Sequence, residues 1–587
     1  MSEGENEPAA PDRPGARGLR WGRILAALVL VWLVWCGVQL VRAATGAASG
    51  RAAADRVRGE TTAADLVAGR PLGDLNQAVA DFGRARSAAE DPFLAPLREV
   101  PFFGRQLRGL AALSANARTV AAVSRQALVE GRALLGDHPH GGGARVSALR
   151  RLSGIAGRAY AGLGAIGPEP DHLIGPLASA KVKLDGDLVR LRRALVDGRD
   201  GAATVADLLA GPHHYLLLAA NNAEMRAGSG MFLSAAEMST NNGEISIGTV
   251  MPIADLNLPA GAVALTGDLA ARWGWAEPNQ EWRNLALSPR FDANAALAAQ
   301  MWRAATGGTV DGVIAVDAVA LRDLLSAVGG VGVGARTITA EVAVGFVLHD
   351  QYAGVSMSSS AAGRNDELGQ LASAALKAAE TRDISNSSLA ERLATAAGAR
   401  HILLWSADAH AEAVWQEIGA AGVISPGDVM VAALNNGGDK LDYFLRVHTT
   451  VLTTTTGAHT DVRIDATFDN LTPASGEASY VVGPLPGSPA PAGRYQGLAS
   501  FTLPAQAAAI RIGGFADPPV AGSDGPAQVW AVPITIDRGA TLTVSVTFRL
   551  PVAHGTMTVV PSARVPPETW TVNGREFQDD AYHVVSW

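Results

Sequence analysis

The feature that most constrains this chain is an uncharged apolar run near its start, Ile24 to Val41 (ILAALVLVWLVWCGVQLV). As a helix, eighteen residues rise about 27 Å, close to the thickness of a hydrocarbon core. Arg23 and Arg42 bracket the run, as snorkelling ends would. A core helix of this length at a chain terminus is the weaker reading. A cleaved signal peptide is weaker too, because the run is long and no A-x-A site follows it closely; Ala43-Ala44-Thr45 and Ala47-Ala48-Ser49 are the stretches that keep that alternative open. The expectation is one uncleaved transmembrane helix over residues 24–41, in a single-pass protein.

Flanking charge does not set the orientation. Arg13, Arg17, Arg20 and Arg23 precede the run, and Arg42, Arg51, Arg56 and Arg58 follow it. The tail, residues 1–23, is short and carries Pro8, Pro11 and Pro14. It reads as a disordered cytoplasmic tail, with the large body extracytoplasmic. The partner implied is the cytoplasmic membrane.

Composition narrows the rest. At 587 residues the chain has room for three or four folded units. Its 48% hydrophobic content and net charge of −8 exclude disorder over most of its length. The mild acidity argues against nucleic acid as a partner. The single cysteine, Cys36, lies inside the apolar run. That excludes a disulfide framework, a cysteine zinc site and a CxxC pair. Only Lys181, Lys183, Lys377 and Lys440 are lysines, which leaves 44 arginines. With heavy alanine and glycine use, this is the coding bias of a GC-rich bacterial genome.

Beyond the anchor the hydrophobic period changes twice. Residues 45–210 read as a helical bundle or stalk: Leu72, Leu75, Val79 and Phe82 keep helix spacing, and Leu184, Leu188, Leu191 and Leu195 form a one-heptad seam. Breaks fall at Asp91-Pro92, Val100-Pro101, His138-Pro-His-Gly-Gly-Gly and Gly167-Pro168. Residues 211–445 alternate strand and helix, which predicts an α/β domain. Its strands include Tyr215–Ala220, Met231–Ser239, Glu244–Val250, Gly312–Val316 and His401–Trp405. Residues 446–587 read as a β-rich, sandwich-like module, with strands predicted at Val447–Thr455, Asp461–Phe468, Ala478–Val482, Arg494–Leu503, Val529–Ile536 and Thr541–Leu550.

Candidate chemistry is sparse. Arg226 sits in a Gly-rich turn (Ala-Gly-Ser-Gly) where backbone and guanidinium together could meet a phosphate. Arg283 and Arg290 are its companions as candidate anion ligands, with Asn284 beside them. The alternative is that these are ordinary fold-stabilising arginines. Asp317 ends an apolar strand, where ligands gather in open α/β sheets, but it also directly precedes a helix, as an N-cap would. Asp311 reads as a turn residue, and Glu224 as a partner for Arg226 or a cation ligand. His138, His140 and the pair His213-His214 lack a carboxylate or cysteine to complete a metal site and read as solvated. No metal and no cofactor is expected. No nucleophile elbow, HExxH, Walker or dinucleotide fingerprint is present.

Several stretches resemble the bacterial, actinobacterial-type family known as domain of unknown function 4012. They are Pro101-Phe-Phe-Gly-Arg-Gln-Leu-Arg, Tyr215 to Phe232 with Asn221-Asn-Ala-Glu-Met-Arg226 at its centre, and Asn284-Leu-Ala-Leu-Ser-Pro-Arg-Phe-Asp. Val310 to Leu321 and Leu434-Asn-Asn-Gly-Gly-Asp-Lys-Leu-Asp-Tyr-Phe-Leu complete the set. A second resemblance is narrower. Val310 to Val333 looks like the closing part of the LytR–CpsA–Psr domain, whose members are exported single-anchor enzymes. That likeness implies transfer of glycopolymer from polyprenyl-pyrophosphate carriers, with arginines and an acid–metal pair on the pyrophosphate. The chain departs from that pattern at Ser229-Gly230 and at Ile245 to Pro252, where the family carries its acid and its Pro-Arg-Asp. Loss of those groups removes charge neutralisation from such a site.

Two expectations of function follow. One is a non-catalytic, membrane-anchored envelope protein that binds a cell-wall or exopolysaccharide component or a partner protein. The other is a divergent glycopolymer phosphotransferase acting on a polyprenyl-pyrophosphate-linked polymer, and only that reading calls for a divalent cation.

Overall fold

The structure, a computed structural model, describes residues 16–60, 69–136, 141–355, 362–381 and 386–587. His138 and His140 lie outside the described residues, as do residues 1–15 of the expected tail. The chain divides into two compact units, one from residues 1–133 and 155–196, the other from 134–154 and 197–587.

In the first unit, helix α1 (Ala16–Glu60) runs unbroken for 45 residues. The helix therefore starts eight residues before the expected edge of the tail, since no proline follows Pro14 to stop it. Within it, Leu28–Val57 is long and apolar enough to cross a membrane. Helix α2 (Leu72–Ala89) packs on α1 at two glycines. A Cβ on Gly46 would lie 3.1 Å from the Asp81 carbonyl oxygen, and one on Gly50 would lie 3.0 Å from the Phe82 ring. Small residues one turn apart thus let the backbones approach. Ser49 donates to the buried Asp81 at 2.5 Å, and Ala53, Ala78, Phe82 and Ala121 close a small core. The breaks at Asp91-Pro92 and Val100-Pro101 form the turn before helix α3 (Pro101–Gly136). Helices α4 (Gly142–Gly162) and α5 (Gly175–Ala210) follow, each contributing residues to both units.

The second unit holds a sheet whose order is β3-β2-β1-β5-β8, with β4 paired to β2. Its strands are β1 (His213–Met225), β2 (Gly230–Asn241), β3 (Glu244–Ile247), β4 (Met251–Pro252), β5 (Gly312–Val316) and β8 (Ile402–Ser406). β1 and β5 run parallel, and the other pairings are antiparallel. Alternate residues Leu216, Leu218, Val313 and Ala315 bury against Phe291, Met301, Trp302 and Trp282. A two-stranded ribbon, β6 (Val331–Val333) with β7 (Arg336–Ile338), packs with the helix Ala318–Val328 in a neighbouring core.

Two six-stranded sheets then stack as a β-sandwich. One is built around β10 (Leu445–Thr456) and β11 (His459–Asn470), the other around β12 (Tyr495–Leu503) and β9 (Asp428–Asn435). Val451, Ile464 and Phe468 from the first meet Val431, Ala433 and Phe501 from the second. β9 thus joins the sandwich from before residue 446. Every residue of β9 is buried, because Met430, Ala432 and Leu434 point away from the sandwich core into a second cluster with Ala227, Trp273 and Leu287. Ala478–Val482, expected as a strand, is instead one helical turn at Ser479–Val482. Its Val481 carbonyl accepts from Lys440 N at 2.8 Å, and Gly483 at φ 63° ends the turn.

Candidate functional site

The end of β1, from Asn221 to Met225, is buried throughout, as is Arg226 just after it. Its pairing with β2 shifts register between Asn221 and Met225, which frees successive side chains to turn in different directions. The following turn is tight because backbones crowd it. A Cβ on Gly228 would lie 2.7 Å from the Ser288 carbonyl oxygen, and one on Gly230 would collide with Asn221. The glycines serve chain packing here; the room they leave is filled by protein.

Arg226 is 4% exposed. Its Nη1 donates to the carbonyls of Asn435 (2.5 Å) and Met225 (3.0 Å), and its Nε to that of Arg283 (3.2 Å). Burial pulls its guanidinium below the usual arginine range, against the nearby Glu224 and Asp442 carboxylates. The Arg283 side chain is half exposed and forks onto Glu281 at 2.9 and 2.5 Å. Arg290 lies 3.5 Å from Asp292 and 3.6 Å from the buried Asp524. Asn284 donates to the Ala276 carbonyl at 2.8 Å. The three guanidiniums are committed to three different sets of partners. Only Arg226 and the Arg283 backbone are brought together.

Asp317 caps the helix Ala318–Val328: its Oδ1 accepts from Val319 N (2.9 Å) and Ala320 N (3.1 Å). Its Oδ2 accepts from Asn222 (2.8 Å) and lies 2.6 Å from Nδ1 of the buried His401. Burial opposes charge on His401, but Asp317 outweighs it and holds the imidazole above its ordinary range. Asp311 accepts from His214 N at 2.8 Å, in keeping with a turn role.

The densest cluster joins two motifs far apart in sequence, Asn221–Arg226 and Asn435–Tyr443. Glu224 pairs with Lys440 at 2.6 Å, with side-chain exposures of 8% and 2%. The Lys440 ammonium stands 5.1 Å from the Tyr352 ring centre and 5.2 Å from that of Tyr480, an aromatic cage on a cation. Burial works against that charge, yet Glu224 holds Lys440 above its usual range. Next to it, Asp442 accepts from Met225 N (2.9 Å), Asn435 Nδ2 (3.1 Å), Tyr495 OH (3.3 Å) and Arg564 Nη1 (2.9 Å). Arg564 and Asp442 are 1% and 0% exposed. Asp439 accepts from Asn435 and from Leu441 N, but burial still pushes its carboxyl up to about 7.

The sequence alone offers Glu224 as a partner for Arg226 or a cation and assigns Lys440 no role. The rarity of lysine in this chain was the one signal at that position. Glu224 faces Lys440 and Asp442 faces Arg564, Asp439 has polar donors alone, and all of them are shut off from solvent. Such an arrangement ties the first sheet to the sandwich and leaves its charged groups closed to solvent.

An open cavity lies elsewhere, on the sandwich. A cavity of about 580 Å³ is lined by Ile510, Arg511, Ile512, Phe515, Pro518 and Trp530. Phe515 is exposed and Trp530 half-buried. Aromatic and aliphatic walls with one cationic group are the make-up of a small-ligand site, and the volume falls in the usual range.

No curated protein and no solved structure matches the chain. Residues 210–352, from the strand that carries Glu224 and Arg226 through to Tyr352, match the model of a family described as a protein of unknown function, DUF4012.

Proposed function

We propose that the chain is a single-pass membrane protein with a cytoplasmic N-terminus, and that its extracytoplasmic body binds a glycan component of the cell envelope. The Trp530–Phe515–Arg511 cavity carries this reading. Apolar ring faces take the C–H faces of sugars, and a guanidinium takes their hydroxyl or acidic groups. The helix over Leu28–Val57 supports the anchor. The phosphotransferase alternative needs Arg226 free for a phosphate, and three carbonyls already hold that side chain. On this reading the likeness of Val310–Val333 to LytR–CpsA–Psr enzymes concerns architecture.

The test is titration of the detergent-solubilised full chain with soluble cell-wall glycan fragments, read by tryptophan fluorescence. Trp530→Ala should weaken binding tenfold or more, about 1.4 kcal/mol, while Arg226→Ala should leave affinity for the glycan in place. Equal binding by Trp530→Ala would reject the cavity. Binding of a polyprenyl phosphate that is lost in Arg226→Ala would favour the transferase.

A further inference from the structure

The first unit carries large apolar side chains on its surface in an uneven way. Val129, Tyr160, Ile174, Val182 and Val189 are scattered singly, as on any soluble surface. Phe93, Val100, Phe102 and Phe103, by contrast, fall within one short turn and are 57%, 42%, 55% and 58% exposed. Pro92, Ala95, Pro96 and Pro101 are exposed on the same turn. A concentrated apolar patch of this kind marks a surface with a partner.

The partner is indicated by where the turn is held. Trp32 Nε1 donates to the Phe93 carbonyl at 2.8 Å, and the Trp35 and Phe93 rings meet edge-on with centroids 6.0 Å apart. Cys36, Leu94 and Leu107 share one small core with Trp32 and Leu97. The turn is therefore fixed against the anchor's own apolar run, where Leu33, Val34 and Val38 are also exposed. Further along, Ala43 packs with Ala88, Ala89, Leu110 and Ala111. That level, next to Arg42, carries the charges: a cavity of about 330 Å³ is bordered there by Arg86, Glu90, Arg98 and Arg108. Arg98 reaches back to it, donating to the Ala89 carbonyl at 2.8 Å. At 1.5 Å per residue, Cys36 and Trp32 lie roughly 9 and 15 Å beyond Arg42 along the helix, within the depth of one leaflet.

We propose that the turn Pro92–Phe103 is a second membrane-inserted element: its phenylalanines enter the acyl chains beside the anchor while Arg86, Arg98 and Arg108 meet lipid phosphates. This rests on the reading of residues 24–41 as a membrane anchor. It adds that the protein meets the bilayer through two elements of the fold. Glu99, exposed on the same turn, limits how deep the turn can sit.

The experiment uses the full chain in phosphatidylcholine–phosphatidylglycerol vesicles. In a Cys36→Ser background, an environment-sensitive fluorophore is attached at Phe102→Cys or, as control, at Val182→Cys. The proposal expects a blue-shifted emission at position 102 that lipid-borne nitroxide quenches more strongly than aqueous iodide, with the reverse at position 182. In the unaltered chain, a diazirine on a lipid acyl chain should crosslink both to residues 28–41 and to residues 92–103. If the vesicles carry the protein on flotation but position 102 behaves like 182, or crosslinks stay within the anchor, the insertion is overturned and the anchor stands. If the protein does not float with the vesicles, the anchor reading fails and takes this one with it.

Discussion

The Glu224–Lys440 cluster and the Pro92–Phe103 turn invert the usual distribution of side chains in opposite ways. One puts charges inside and the other puts phenylalanines outside. The buried charges are balanced among themselves: Lys440 has its carboxylate and two aromatic rings, and Asp442 has four donors. The exposed rings of Phe102 and Phe103 touch each other edge-on, 5.6 Å apart, and remain more than half exposed. An internal charge cluster can be complete within one chain. An exposed apolar patch finds its partner outside the chain. The first kind of feature therefore reports on stability and the second on surroundings.

The sharpest way to break this contrast is Asp442→Ala. It strands the Arg564 guanidinium and three further donors in the interior, and a loss of about 3–5 kcal/mol or more is expected in urea unfolding followed by tryptophan fluorescence. A loss of a few tenths would mean that water reaches the cluster. Glu224→Ala should cost about 3–5 kcal/mol for the same reason, through an unpaired Lys440. Replacing both partners, Glu224→Met with Lys440→Met, should recover most of that loss. A double variant as weak as the single one would show that the pair does more than neutralise itself.

The third prediction concerns pH. Asp439 keeps its proton up to about 7 in the folded chain, well above the ordinary carboxylate range. Between about pH 4 and 7 the folded state therefore holds more protons than the unfolded one, and stability falls as pH rises through that window. The Asp439 contribution is at most about 4 kcal/mol. Asp439→Asn should flatten the slope and gain most near pH 7. His401 works in the same direction, because its folded range is also raised: what its pairing with Asp317 contributes is full in acid and fades as pH passes that range. The smallest effect belongs to the other region. In detergent, Phe102→Ser should shift unfolding by no more than about 0.5 kcal/mol, as for an ordinary surface residue. A large shift would show that the ring is packed against protein.

What could be read from sequence was whatever local periodicity controls. The apolar run, the helix seams, the breaks at Pro92 and Pro101, and the unit of Gly312–Val316 with an Asp317-capped helix all appear in the structure. The alternation of β10 and β11 was legible because one face of that pair meets solvent. β9 was hidden for the opposite reason: buried on both faces, it has no alternation to read. Ser479–Val482 failed because a four-residue apolar run is compatible with either state, and the Lys440 amide decides it. The pairing of Glu224 with Lys440 joins residues far apart in sequence, and beyond the rarity of lysine no local pattern marks it. The arginines misled for a related reason: residue type shows that a guanidinium can bind an anion, and only the fold shows that carbonyls reach Arg226 first.

The Met225–Asp442 bond spans 217 positions. On the ribosome, or in passage through a membrane, the first sheet of the second unit emerges long before the residues that complete it. Until Lys440 and Asp442 arrive, the Glu224 carboxylate and the Met225 amide lack their folded-state partners. Completion of this unit is thus a late, long-range event, and the chain must survive an interval with an unfinished edge. Truncations that end between the sheet and the sandwich should accumulate as aggregation-prone intermediates, however good their local helix and strand signals are.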